Sequence, residues 1–328
     1  MKKIDVRSKL NNYSIIIENN LLNRLEDYFD NEKFYVIIHD DHIPKEYINK
    51  IRMACKNNLI INFPEGEKSK SFSEYERIIS IMQKNNIKRD ACIVAVGGGV
   101  TGDLSGFIAS TYLRGIGYIQ VPTSLLSQID SSVGGKVAIN TDYAKNSVGS
   151  FYPPSIVLID PLTLKTLPKR HFNNGMAEGI KYGMIYSKTL FDRISNKNIE
   201  EDLETFIYDC LMIKKYFVEN DEFDSSIRQM LNFGHTYGHA YERYYNFNKY
   251  LHGEAVALGM IKSTRNTNAK NNLISVLKKY NLPISDKINE EDIVDIIKKD
   301  KKNTSKYLNM IYVDTIGEAN IVKQLFRR

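Results

Sequence analysis

The chain contains six histidines, and three of them, His235, His239 and His252, fall in one stretch, LNFGHTYGHAYERYYNFNKYLHGEA. His235 and His239 are spaced i,i+4, which on a helix puts both imidazoles on one face. His252 opens another helical run, beside Gly253. Imidazoles at helical spacing suit zinc or another borderline divalent ion. A catalytic zinc takes three protein ligands and keeps a position open for a reactant. A remaining ligand must come from elsewhere in the chain, and Glu178 in GMAEGIKYG is a candidate. Spacing alone leaves open which two of the three histidines bind. The competing reading is of helix histidines satisfied beside tyrosines.

A second constellation is glycine-based. Gly97, Gly99 and Gly102 spell GxGxxG in GGGVTGD, directly after the apolar run ACIVAV. Glycines there let backbone N–H groups approach phosphate oxygens, and the dipole of the following helix favours an anion. The acidic residue expected about 20 positions later in the dinucleotide fingerprint is missing; position 114 is Arg. Asp40, at the end of an earlier strand, is positioned to hold a ribose instead. The alternative is a tight strand–helix turn. Consecutive glycines are costly unless backbone approach is needed, which favours a phosphate-bearing ligand.

Basic residues accompany both groups. Lys136 follows Gly134 and Gly135 in DSSVGGKVAIN, and Lys145 and Asn146 come shortly after. Arg228 and Asn232 are i,i+4 on the predicted helix that bears His235. Glu178 and Lys181 are i,i+3, so one helix face carries a carboxylate and an amine. Cations near a metal fit a substrate with phosphate and carboxylate groups: Arg grips carboxylates bidentately, while Lys acts as a point charge.

The elements that must position these residues follow from pattern. FYVIIH (34–39), LIINF (59–63), ACIVAV (91–96) and GYIQV (117–121) are buried-strand runs alternating with helical stretches at 44–57 and 73–86. That alternation predicts a parallel sheet. SIVLID (155–160) is one further strand signal. Beyond it, helical patterns cover 174–195, 199–219, 227–245, 252–271 and 290–300, with a short strand pair near 307–313. The expected fold is an α/β, Rossmann-like nucleotide-binding domain over 1–155 and a mostly α-helical metal- and substrate-binding domain over 156–328.

Composition narrows the function classes. The chain has 328 residues, 42% apolar and 26% charged, which is ordinary globular composition. A formal charge of +6 is mild. It suits an anionic substrate and does not imply nucleic acid. The three cysteines, Cys55, Cys92 and Cys210, form no CxxC pair, so reduced thiols in a cytoplasmic protein are expected. The N-terminal MKKIDVRSKLNNYSIII lacks the apolar segment of a signal peptide. No run approaches the length needed to span a membrane.

Taken together, GGGVTGDLSGFIASTYLRG, QVPTSLLSQIDSSVGGKVAIN, KNSVGSFYPP, GMAEGIKYG, LNFGHTYGHAYE and LHGEAVALGM resemble the 3-dehydroquinate synthase family. The likeness runs in order from PEGEKSK, near residue 64, to DKK at 300–302. It implies an NAD-dependent homodimer with a divalent metal, zinc or cobalt, that converts the sugar phosphate 3-deoxy-D-arabino-heptulosonate 7-phosphate into 3-dehydroquinate and phosphate. It implies Glu178, His235 and His252 as metal ligands and His239 as acid/base group, with Asp130 and Lys181 near the reacting hydroxyls. Lys136, Asn146 and Lys301 or Lys302 match phosphate-binding positions. Lys214, Arg228 and Asn232 match those that hold the substrate carboxylate. Arg114 matches an arginine lent to the neighbouring subunit. For NAD, the corresponding residues are Asp40, Glu67, Lys70, Gly97, Gly98, Gly99, Gly102, Asp103, Thr123, Ser124, Asp130, Lys136, Lys145, Thr163 and Thr166. The chain departs from the family at Asp224, where the family usually has Glu before the SSIR-like turn in a proton relay with His239, and at Ser124, where a second Thr is common. Rival readings are another sugar phosphate cyclase, which would not need the carboxylate grip, and a metal-dependent polyol dehydrogenase, which would not need the phosphate cluster.

Overall fold

A computed structural model describes residues 1–301 and 307–325. The chain forms two compact units: Met1–Leu167 with Leu203–Lys215, and Pro168–Asp202 with Tyr216–Arg328.

The first unit contains β1 (Lys2–Val6), β2 (Tyr13–Ile17), β3 (Phe34–Asp40), α1 (Lys45–Ala54), β4 (Asn57–Phe63), α2 (Phe72–Lys84), β5 (Cys92–Gly97), α3 (Gly99–Thr111), β6 (Gly117–Pro122), β7 (Lys136–Ile139), β8 (Val148–Phe151) and β9 (Ile156–Ile159). Seven strands make one sheet in the order β1-β2-β9-β6-β5-β3-β4. All neighbours are parallel except β1 and β2. Alternate side chains of the central strands enter opposite layers, as the two-residue strand period requires. Val36, Ile38, Ile93 and Ala95 pack with Ile78, Met82, Leu104 and Ile108. Ile37, Val94, Val96 and Ile119 pack with Leu21, Tyr47 and Ile51. Burial on both faces explains why these strands are continuous apolar runs.

The expected boundary after residue 155 is corrected by β9. This strand lies inside the sheet, between β2 and β6, so the α/β unit cannot end before it. It continues through Asp160, whose carboxylate accepts from Asn20, Leu22 and Leu162 N–H groups at 3.0–3.1 Å. The strands β1 and β2 and the hairpin β7–β8 escape the sequence reading; β7 and β8 are only four residues each.

The second unit is helical, with α4 (Lys169–Ile185), α5 (Lys188–Asn196), the end of α6 (Leu203–Asn220), α7 (His235–Tyr244), α8 (His252–Ser263), α9 (Thr267–Lys279) and α10 (Glu290–Lys301). The hairpin β10 (Tyr307–Thr315) and β11 (Glu318–Leu325) completes it, so the pair expected near 307–313 is formed with a later strand. Three expected helices are each broken. The 174–195 pattern divides at Ser187, which caps α5 by accepting from Leu190 N. The 252–271 pattern divides at Thr264, which is extended and bridges to Val313. The 227–245 pattern divides at Gly234, which is left-handed at φ 78°. Arg228 and Asn232 therefore lie in a short 3₁₀ turn, Ile227–Asn232, and not on the helix of His235. A Cβ at Gly234 would sit 2.8 Å from Met260 N and Val256 O, so the break also lets α7 and α8 meet closely. Among the described residues, no helix is long and apolar enough to cross a membrane.

Helix α3, which carries the glycine loop, presses on the sheet at Gly106, where a Cβ would lie 2.4 Å from Val137 Cγ1 and 3.0 Å from the Tyr118 ring. Gly106→Val should therefore cost about 3 kcal/mol through overpacking. Urea unfolding measures this; a midpoint equal to the parent's would contradict the close approach.

Candidate active site

In the second unit, α4 is buried continuously from Phe172 to Ile185. Glu178 and Lys181 share its inner face, 1% and 2% exposed, and form an ion pair through Oε2. The other carboxylate oxygen, Oε1, has no hydrogen-bond partner among the described residues. It faces His235 Nε2 and His252 Nε2, each at 3.7 Å. The two imidazoles are the first residues of α7 and α8. Their rings lie 5.1 Å apart between centroids.

Three contacts bring His252 to this point. Gly253 N donates to Asn174 Oδ1 at 2.6 Å, and a Cβ on Gly253 would lie 2.0 Å from Asn174 O, so only glycine admits the approach. Glu254 accepts from Leu251 N at 2.9 Å, capping α8. Arg170 of α4 grips the same carboxylate with Nε and Nη2 at 2.7 and 2.8 Å. His235 is fixed at its other nitrogen, where Nδ1 meets Phe233 O at 3.1 Å.

The electrostatics of the two histidines diverge. Burial, the nearby Lys181 charge and the neighbouring imidazoles hold His235 well below its usual pKa. Burial also opposes the charged form of His252, but the Glu242 and Glu178 carboxylates outweigh it and raise this pKa. Together, a buried carboxylate oxygen lacking a donor and two imidazole nitrogens aimed at it fit a divalent ion: the ligand atoms of Glu178, His235 and His252 lie within 4.8 Å of one another. His239 is outside that trio and belongs with Glu242 and His252 in a second close group.

His239 instead lines a cleft of about 360 Å³, together with Asp224, Asn232 and His235. Asp224 thus shares the cleft with the histidine it was expected to assist, and sits in left-handed backbone at φ 60°. The segment holding it is organised by Asp221, whose carboxylate accepts from Ser225 N, Ser226 N and Arg228 N at 2.6–3.0 Å and from Ser225 Oγ. Burial opposes ionisation there, but these donors prevail and hold the group at about 2. Arg228 is 3% exposed and donates through Nη1 to Glu222 O. Lys301 ends α10, and Lys302 lies outside the described residues.

In the first unit, Gly97–Gly99 link β5 to the N-terminus of α3. A Cβ on Gly98 would meet Ser124 Oγ at 3.4 Å and one on Gly99 would meet Ser131 Oγ at 3.1 Å, so bare backbone lines this loop. Gly102 lies one turn on, its N–H bonded to Gly98 O, and Thr123 N donates to Gly97 O. Asp40 ends β3 beside the loop and accepts from Thr101 Oγ1 at 3.2 Å; burial raises its pKa.

Buried Lys70 donates to both Asp103 and Asn146, joining two residues read as cofactor and phosphate contacts. Lys214 falls in this unit too and pairs with Asp130 Oδ1 at 2.7 Å. Glu67 accepts from Asn140 Nδ2 at 2.8 Å. Thr163, 2% exposed, bonds Gln128 and Asp160, and Thr166 bonds Thr163 O and Tyr47. Lys136 opens β7 and is exposed, and Lys145 sits in the β7–β8 connection. Arg114 is exposed in left-handed backbone at φ 67°. Sequence reasoning overlooked Asp221, Arg170, Glu254 and Glu242; of these only Glu242, three residues past His239, carried a spacing signal.

A family model described as 3-dehydroquinate synthase N-terminal matches residues 60–174, and one described as 3-dehydroquinate synthase C-terminal matches 175–303. The chain is 43% identical to the 3-dehydroquinate synthase of Clostridium botulinum, with 97% of each chain covered. It is 42% identical to that of Clostridium acetobutylicum, covering 98% of this chain and 96% of the relative. Among solved structures, a 2-deoxy-scyllo-inosose synthase complexed with carbaglucose-6-phosphate, NAD⁺ and Co²⁺ superposes with a TM-score of 0.87 at 25% identity, over 99% of this chain and 97% of the other.

The low pKa of Asp221 has a pH signature. A carboxyl at about 2 when folded, against 3.8 ordinarily, contributes stability that is present above pH 4 and lost as pH falls toward 2. Comparing urea unfolding at pH 5 and pH 3, the parent should lose more stability than Asp221→Asn. Equal losses would contradict the assigned hydrogen bonding.

Proposed function

The chain belongs to the 3-dehydroquinate synthase family, and from that premise we propose how its residues divide the work. The reaction converts 3-deoxy-D-arabino-heptulosonate 7-phosphate into 3-dehydroquinate and phosphate, a phosphate-eliminating carbon–oxygen lyase reaction. The observation that carries the residue assignment is the buried Glu178 carboxylate facing two imidazoles, with His239 and Asp224 in the adjoining cleft.

Glu178, His235 and His252 would hold the divalent ion, zinc or cobalt. Such an ion, when bound, lowers the pKa of a coordinated hydroxyl. The bare backbone of Gly97–Gly99 and the N-terminus of α3 fit a dinucleotide phosphate, and Asp40 is placed to accept from a ribose. NAD, when bound there, supplies the oxidation and later re-reduction of one carbon, so it is regenerated in every cycle.

The remaining roles belong to the chain's own side chains. His239 moves protons to and from substrate hydroxyls in the cleft, and Asp224, which lines the same cleft, orients the imidazole. Arg228, fixed by the Asp221 loop, grips the substrate carboxylate. Lys136 and Asn146 attract the phosphate as a point charge and a donor. Lys181 balances Glu178 and lies near the reacting hydroxyls. Lys70, through Asp103 and Asn146, orders the loop that meets the phosphate. The Arg228 grip favours this substrate over the carboxylate-free sugar phosphates of related cyclases.

The same reading includes a homodimer that shares Arg114, supported by the exposed pair Leu113 and Arg114 in a turn with successive left-handed residues. A cytoplasmic location accords with three buried cysteine thiols.

Purified enzyme given the heptulosonate phosphate, zinc and substoichiometric NAD⁺ should release many phosphates per NAD⁺ with no net NADH. NADH accumulating one-for-one with an unphosphorylated polyol would instead establish a dehydrogenase. His235→Ala should lose metal and turnover together; an active, metal-free variant would refute its place as ligand. Lys136→Ala should lose most turnover with the fold intact, and unchanged kinetics would remove it from the phosphate site.

A further inference from the structure

Glu242 is a buried acid that the reaction scheme leaves without a task. It lies on α7, three residues after His239, and is 4% exposed. Burying a carboxylate is expensive unless a charged or donor group is held against it. Its Oε1 lies 3.6 Å from His252 Nδ1, while the opposite ring nitrogen, Nε2, faces Glu178 Oε1 at 3.7 Å. The hydrogen-bonding partner of one imidazole nitrogen decides where the proton sits and which nitrogen offers a lone pair.

His235 shows the same arrangement with a different outer partner. Its Nδ1 meets Phe233 O at 3.1 Å and its Nε2 faces the same Glu178 oxygen. Both rings thus face an oxygen with Nδ1, at hydrogen-bond distance for His235 and just beyond it for His252, and turn Nε2 inward. The segment joining α7 to α8 is itself tied down: Tyr245, Lys249 and Tyr250 all donate to Asp286, whose side chain is 1% exposed. The separation between Glu242 on α7 and His252 on α8 is therefore built in.

We infer that Glu242 is a positioning residue for the metal site: it holds the Nδ1 proton of His252 and so presents Nε2 to the ion. This rests on Glu178, His235 and His252 being the ligands. Outer carboxylates of this kind change metal affinity by 10–100-fold when removed.

The test is a titration of the chelator-stripped full-length protein with Co²⁺ alone, followed by its visible d–d absorption. Glu242→Gln should bind Co²⁺ about 10–100-fold more weakly than the parent, with an altered spectrum, and Glu242→Asp should recover part of the loss. In a His252→Ala background, Glu242→Gln should change affinity no further, because its route to the ion is gone. If His252→Ala weakens binding but Glu242→Gln does not, the positioning role is wrong while the ligand assignment stands. If Glu242→Gln weakens binding equally with and without His252, the effect is on the fold and the inference fails. A second equivalent of Co²⁺ that Glu242→Gln abolishes would make Glu242 a ligand of a separate site with His239, which also overturns it. Parent-like binding by His252→Ala would overturn the ligand assignment and the inference together.

Discussion

A carboxylate withdrawn from water needs positive charge or donors fixed around it, because desolvation costs several kcal/mol per ion. Glu178 sets this requirement for the whole helical unit. One of its oxygens is answered by Lys181, a residue on the same helix. The other has no hydrogen-bond partner. Of the histidines facing it, His235 is disfavoured from carrying a charge by burial and by the nearby Lys181. A divalent cation among the three side chains would supply the missing charge and accept the lone pairs that converge there.

Much of the surrounding structure serves that convergence. The glycine at 253 allows the start of α8 to touch the α4 backbone, and the Arg170–Glu254 pair fastens the two helices at the same level. The left-handed Gly234 ends the turn that carries Arg228 and starts the helix that carries His235. Of the proposed ligands, His235 and His252 are the first residues of α7 and α8, while the proposed substrate grip Arg228 lies in the short turn just before α7. Element ends suit this work: their backbone groups are not committed to the helix interior, and their side chains can be set by caps and loops. Asp221 shows the same economy of means in the 221–228 segment, using one carboxylate to gather three backbone N–H groups.

The sequence carried the chemistry more clearly than the architecture. The i,i+4 spacing of His235 and His239 and the glycine run at 97–99 pointed to the regions where the proposed sites lie, because metal and phosphate chemistry restrict residue type sharply. Spacing misled where helices were interrupted. Arg228 and Asn232 look continuous with His235 because polar periodicity does not register a single left-handed residue such as Gly234. The domain boundary was set too early because β9 is short, and a strand's place in the middle of a sheet depends on partners far away in sequence. Lys70 joining Asp103 and Asn146, or Lys214 joining Asp130, are long-range pairings with no local signature. Glu242 falls between these cases, being near His239 in sequence but meeting His252 only through the α7–α8 turn.

The central claim is that the buried Glu178 carboxylate exists to hold a cation with His235 and His252. Crystals of the zinc-loaded protein, measured on both sides of the zinc absorption edge, test it without reference to turnover. The account predicts one anomalous peak within bonding distance of Glu178 Oε1 and the Nε2 atoms of His235 and His252. A peak located on His239 and Glu242 instead, or full zinc loading with no peak at Glu178, would contradict it.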